Sequence, residues 1–163
     1  MTDLQKKLLE LLEKDSRLTV PQLSKLLDVG ESEVANNIAE LEKNKIILKY
    51  HTVVNWSKQK NPWVSAMIEV NITPQRDVGF DKIAERIYRF PQVKSVYLMS
   101  GSYDLCVIIE EKTLQDVSRF VFEKLAPLEH VTGTKTHFVM KRYKDAGVVF
   151  DDVEDDRRLV ISP

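Results

Sequence analysis

The sequence predicts an α+β chain in two parts, a helical N-terminal part and a C-terminal part of order β-α-β-β-α-β. Three observations carry this. The apolar period is helical before Pro62 and alternates strictly after it. Between Lys43 and Pro62 stand Lys43, Lys45, Lys49, Lys58 and Lys60 with no carboxylate, whereas Asp151 to Asp156 is almost entirely acidic. A net charge of −1 therefore conceals a basic segment early and an acidic tail late, which suggests two halves with different partners.

Leu4, Leu8, Leu9 and Leu12 repeat at helical spacing behind Thr2 or Asp3 as N-cap. Thr19 can cap a second helix, with Pro21 in its first turn and Leu23, Leu26 and Leu27 on one face. Asp28-Val29-Gly30 interrupts the pattern, and Val34, Ile38 and Leu41 mark a third helix. Three short helices with a tight turn before the last are the pattern of a helix-turn-helix. Ile46-Ile47-Leu48 and Thr52-Val53-Val54, separated by Lys49-Tyr50-His51, read as a small hairpin that would make it winged. These boundaries give a winged helix-turn-helix over 1–54 and a polar linker over 55–62.

Beyond the linker, Val64, Ala66, Ile68, Val70 and Ile72 alternate as one face of a strand. Phe80, Ile83, Ala84 and Ile87 form a helix face. Strands over 93–100 and 103–110 meet at Gly101-Ser102 in a hairpin; Leu114, Val117, Val121 and Leu125 mark a second helix, and 134–142 a fourth strand. The order is that of a ferredoxin-like domain over 63–144, with both helices on one face of an antiparallel sheet. The other face is expected to be an apolar surface for sheet-to-sheet dimerisation. The remaining 145–163 is an acidic tail, with Val148-Val149-Phe150 and Leu159-Val160-Ile161 as material for an added edge strand.

With 163 residues and 43% apolar content the chain can bury two cores, so disorder is not expected. No apolar run approaches the roughly 20 residues of a membrane span, and no secretory pattern opens the chain, which places it in the cytoplasm. Cys106, the only cysteine, reads as a buried small hydrophobe and excludes an intramolecular disulfide. No cofactor or metal is expected.

Val34-x-x-x-Ile38-x-x-Leu41-Glu42 leading into Ile46-Ile47, the loop Gly101-Ser102-Tyr103-Asp104, and the run from Thr136 to Lys144 recur in this order and spacing in one family. The chain resembles the leucine-responsive and asparagine-regulator (Lrp/AsnC) transcription factors over nearly its whole length. That resemblance implies a winged helix-turn-helix, a ferredoxin-like effector domain, dimers that often assemble into octamers, and control of amino-acid metabolism genes. Three positions depart from the usual pattern: Asp28 stands where glycine is common in the turn, Gly30 where serine caps the recognition helix, and Asn37 where an arginine is common. Asp tolerates left-handed backbone and Gly is an acceptable N-cap, so the fold survives the changes. The base-reading chemistry differs.

On the third helix, Asn36 or Asn37 can bond adenine bidentately and Ser32 can reach a phosphate or base, an A·T-tolerant code on double-stranded DNA. Lys43, Lys45 and Lys49, with Lys58, Lys60, Arg17 and Lys25, can neutralise phosphates. The plainer alternative is a solvated face. The effector site is implied to lie between neighbouring effector domains near the Gly-x-Tyr-Asp hairpin. There Asp104 can accept from an α-ammonium and the amides around Ser100, Gly101 and Ser102 can receive a carboxylate, with Thr134 and Thr136 supplying hydroxyls and Met99 and Tyr103 shaping the pocket. The alternative is a structural hairpin in which Asp104 pairs across the sheet.

The reading is therefore an amino-acid-responsive DNA-binding regulator and not an enzyme. Two other classes remain open: a small-molecule-binding module without operator recognition, and a tetrapyrrole decarboxylase of the kind some relatives of this architecture are implied to be. Against the enzyme, His51, His130 and His137 have no paired spacing for a metal or an acid-base couple.

Overall fold

The computed structural model describes residues 1–60, 62–73 and 79–150; the acidic stretch 151–156 and Leu159 to Ile161 lie outside them. The chain divides into two compact units, Met1–Val53 and Val54–Pro163. No helix among the described residues is long and apolar enough to cross a membrane.

In the first unit, helix α1 spans Asp3–Lys14, α2 Val20–Leu27 and α3 Glu31–Lys43. Thr2 and Gln5 exchange bonds in a capping box that satisfies two of the free N–H groups at the start of α1. Gln22 Oε1 does similar work for α2, accepting from the Thr19 amide and hydroxyl. The predicted apolar stripes meet in a core of Leu8, Leu12, Leu23 and Val34, with Ile38 and Ile47 against it. Buried Gln5 donates Nε2 to Glu40 Oε2 at 3.0 Å, fixing α1 against α3. Asp28, after α2, has φ 55°, the left-handed conformation its residue type was expected to tolerate.

The expected hairpin of 46–48 with 52–54 does not form, and residues 44–54 contain no strand. Lys45 turns left-handed at φ 59°, and the amides of Ile46 and Ile47 both bond back to the Leu41 carbonyl. These bonds close the C-terminus of α3 and use donors that a ladder would have needed. Tyr50 is then held by its hydroxyl donating to Glu42 Oε1 at 2.8 Å.

In the second unit, β1 is Val64–Ile72, α4 Phe80–Tyr88, β2 Val93–Leu98, β3 Leu105–Glu111, α5 Leu114–Phe120 and β4 Val131–Phe138. The strands lie in the order β2-β3-β1-β4, with every pairing antiparallel, which is the ferredoxin-like sheet. Alternation works as predicted: Ala66, Ile68, Val70 and Ile72 of β1 and Leu105, Val107 and Ile109 of β3 point into the core under Ile83, Ile87, Val117 and Phe120. The second predicted helix continues past α5 as a π turn over Val121–Leu125, where the Ala126 amide reaches the Val121 carbonyl at 2.8 Å. The widened turn keeps Val121 and Leu125 buried.

Two strand boundaries differ from expectation. The β2–β3 connection is a six-residue loop over 99–104 rather than a two-residue turn, and the Asp104 amide at its end bonds to the Val70 carbonyl on β1. β4 ends at Phe138, after which the chain leaves the sheet and makes a separate hairpin of β5 (Lys144–Asp145) and β6 (Val148–Val149). Ala146 and Gly147, both at positive φ, form its turn, so Val148 and Val149 join their own hairpin and not the main sheet.

The open sheet face is mixed rather than apolar. Met67, Ile108 and Cys106 share it with Glu69, whose Oε1 lies 2.9 Å from His137 Nε2, and with Glu110. Cys106 is buried as predicted, 6% exposed, and burial pushes its thiol pKa up, with the nearby Glu69 charge adding to the effect.

Candidate functional site

Helix α3 begins at Gly30, which caps it without a side-chain bond, and its apolar face is consumed by Val34 and Leu41. Ser32, Asn36 and Lys43 are exposed and lie on one stripe by helical spacing. Asn37 differs from Asn36: it is half-buried, and its Nδ2 donates to the Glu33 carbonyl at 2.8 Å, which commits part of its amide to the helix itself. Glu31 and Glu33 flank the N-terminus of the stripe, and Lys45 and Lys49 are exposed beyond its C-terminus. The helix thus offers one free amide and one hydroxyl for hydrogen bonding at base edges, with cations gathered at its far end. Lys58 and Lys60 belong to the second unit.

In the second unit, the loop 99–104 is closed by the Met99 amide donating to the Asp104 carbonyl at 2.8 Å. Asp104 Oδ2 accepts from the Ile72 amide at 2.7 Å, so the carboxylate is docked on the end of β1. Among the described residues its partner is backbone, and no lysine or arginine pairs with it across the sheet. Ser100, Gly101 and Ser102 are exposed, and their amides donate to no group among the described residues. Gly101 has an ordinary φ, and a Cβ there would meet nothing within 4 Å, so the loop is open on that side. Its amides are available to an anion.

The other expected effector residues are spread around β1. Thr134 pairs with Val70 and Thr136 with Ile68, so β1 separates them from the loop, and both point toward the helix layer. Tyr103 lies on the opposite side, near Cys106 and Glu69, and partial desolvation holds its hydroxyl pKa above the ordinary value. Met99, 40% exposed, stands at the loop edge. The structure gathers Met99 to Asp104 in one place but not with Thr136. Within one chain the expected residues stand in two groups.

A cavity open to solvent, formed by the second unit, was not foreseen. It has a volume of about 470 Å³ and lies at the other end of the sheet, walled by Trp56, Trp63, Phe138, Phe150, Glu110 and Arg142 among others. Asn55 starts its wall, capping the turn Trp56–Lys58 and donating to the Phe150 carbonyl at 3.3 Å. Lack of periodicity made this stretch read as linker. The signal that marks it is two tryptophans within eight residues of a polar segment.

Comparison with known proteins decides the family. A winged helix-turn-helix DNA-binding model matches residues 1–47, and the Lrp/AsnC ligand binding domain matches residues 65–149. The chain belongs to the Lrp/AsnC family. It is a transcription regulator with a DNA-binding unit and a ligand-binding domain, not an enzyme. This regulator is 46% identical over 164 residues, 100% of the chain and 99% of the relative, to the uncharacterized HTH-type transcriptional regulator YugG of Bacillus subtilis strain 168. It is 25% identical to a proline dehydrogenase transcriptional activator of Rhizobium radiobacter, over 87% of the chain and 90% of that protein. The regulator NMB0573 of Neisseria meningitidis, solved with L-Met, superposes with a TM-score of 0.73 at 23% identity, over 89% of this chain and 93% of the other, and shares the fold.

Among the described residues no group of three or more His, Cys, Asp or Glu side chains could hold a metal ion.

Proposed function

We propose that this regulator acts in the cytoplasm, binds operator DNA through α3 and the lysines beyond it, and responds to an amino acid held at the loop 99–104. The observation that carries the effector half is the loop itself: a carboxylate docked at its base by Ile72 and three exposed amides with no partner among the described residues, the two halves of a receptor for a zwitterion. The ammonium meets Asp104 and the carboxylate meets the amides. A second subunit completes the pocket, so the working form is a homodimer or an octamer assembled from dimers. A relative that activates proline dehydrogenase transcription and a fold neighbour solved with L-Met support an amino acid as effector and amino-acid metabolism genes as targets.

On DNA, Ser32 and Asn36 read bases, favouring A·T steps, while Lys43, Lys45 and Lys49 neutralise phosphates. Asn37 supports the helix. Selection of bound duplexes from a random pool, repeated with each standard amino acid, tests both halves. An enriched operator whose affinity shifts with one amino acid is expected; no enriched sequence removes the operator reading, and no thermal shift with any amino acid removes the effector reading. One observation favours a second reading, a ligand-binding module that reads no operator: α3 carries no arginine, and Glu31 and Glu33 put two carboxylates in its first turn, which repel phosphate. A purely salt-dependent, sequence-independent binding curve is its signature.

A further inference from the structure

We propose that the cavity at the Val64 end of the sheet is a second small-molecule site, one that takes a monocarboxylate with an aromatic or branched apolar body. It is separate from the loop 99–104. The loop docks at Ile72, at one end of β1, whereas the cavity opens beside Val64 and Ser65 at the other, a strand length on the order of 20 Å away.

Size and lining fit a ligand of that class. About 470 Å³ falls within the roughly 300–1,000 Å³ of small-molecule sites, which are mostly apolar with a few convergent polar groups. Trp56, Trp63 and Phe138 each leave more than a third of their surface uncovered by the described residues, so the walls present open aromatic area. Such surface favours a flat or branched apolar body.

The polar end is Arg142. Its Nη2 donates to Ser65 Oγ at 3.1 Å and to Glu110 Oε1 at 3.2 Å, while the Phe150 ring centroid lies 5.6 Å from its Cζ. The guanidinium is thereby fixed in direction. Its Nη1 edge already carries a carboxylate, Asp145 Oδ2, at 3.2 Å. Asp145 is 53% exposed and sits on a two-residue strand, so this is a surface ion pair of small worth that an incoming carboxylate can replace. Arg142 is thus the cation of the lining that an anion can meet, by taking the Nη1 edge from Asp145 while Glu110 keeps Nη2.

The chain supplies its own reporter, since its two tryptophans, Trp56 and Trp63, both line this cavity. Full-length protein is titrated with 3-phenylpropanoate and 4-methylpentanoate under tryptophan-selective excitation, with calorimetry in parallel. A saturable emission change is expected, with 3-phenylpropanamide binding about tenfold more weakly because it lacks the charge that pairs with Arg142. Arg142→Met should weaken the carboxylates by about tenfold, with circular dichroism checking that the variant stays folded at the titration temperature. Asp145→Asn, which removes the internal competitor and leaves Arg142 in place, should tighten them. Asp104→Asn should leave them unaltered, so loss of the loop site does not touch this result. The proposal is overturned if emission does not saturate at millimolar probe, if the amide binds as well as the acid, or if Asp145→Asn has no effect. It is also overturned if emission follows protein concentration and not probe, the mark of a face covered by a second copy.

Discussion

Asp104 accepts a 2.7 Å hydrogen bond from the Ile72 amide, a contact that joins the 99–104 loop to a strand thirty-two residues earlier in sequence. The carboxylate therefore serves the fold and the proposed effector site at once. Two substitutions separate the roles. Asp104→Ala leaves the Ile72 amide without its partner and should cost about 1–3 kcal/mol in urea unfolding. Asp104→Asn keeps an acceptor oxygen but no charge, so it should retain most of that stability while losing the amino-acid-induced thermal shift. An Asn variant that still responds fully would leave Asp104 with a structural role only.

Asp28 holds a left-handed backbone at φ 55°, where glycine has no side-chain penalty. Asp28→Gly should raise the stability of the first unit by up to about 1 kcal/mol, the freer unfolded chain offsetting part of the gain. Asp28→Val should lower it, because a β-branched side chain tolerates this region least. Thermal melts of the two variants against the parent decide the sign.

Lys45 and Lys49 are exposed beyond α3, where no strand ladder constrains them. Replacing both with glutamate should weaken operator binding and reduce the slope of log affinity against log salt by about 1 for each lysine that meets a phosphate. Asn36→Ala should instead lower affinity for the selected operator more than for unrelated duplex, with the salt slope unaltered. Gel-shift titrations across salt measure both. A double-lysine variant with the parent's slope would remove these residues from the DNA contact.

Tyr50 has its pKa raised to about 12, first by burial and then by its bond to the Glu42 carboxylate. The folded value lies above the unfolded one, so the associated stability is intact below pH about 10, where tyrosine ionises in unfolded chains, and is lost as pH rises through the folded pKa. Between these limits the parent's unfolding free energy should fall more steeply than that of Tyr50→Phe. Absorbance titration should show one late phenolate step that Tyr50→Phe lacks. Parallel stability curves for the two proteins would mean that Tyr50 is not held by Glu42.

Helix-period leucines and the cap residues Thr2 and Thr19 define the three helices of the first unit because their contacts are local, within four residues or across short turns. Strict alternation from Val64 to Ile72 likewise gives β1 and its buried face. Asp28 at the turn could be read from residue type alone. The 46–54 hairpin could not be judged this way, since β-prone residues there compete with the closure of α3 on the Leu41 carbonyl, a choice made by backbone donors rather than side chains.

The sequence by itself determined the two-part organisation, the split βαβ order, the reading helix and the family, because periodicity and motif spacing are properties of adjacent residues. Only the tertiary structure decided what Asp104 and Asn37 bond, why Thr136 stands apart from the loop, and that Trp56, Arg142 and Phe150 surround one cavity. Each of these depends on which distant backbone group an amide or carboxylate meets once the strands are in register. A linear pattern carries no record of that meeting.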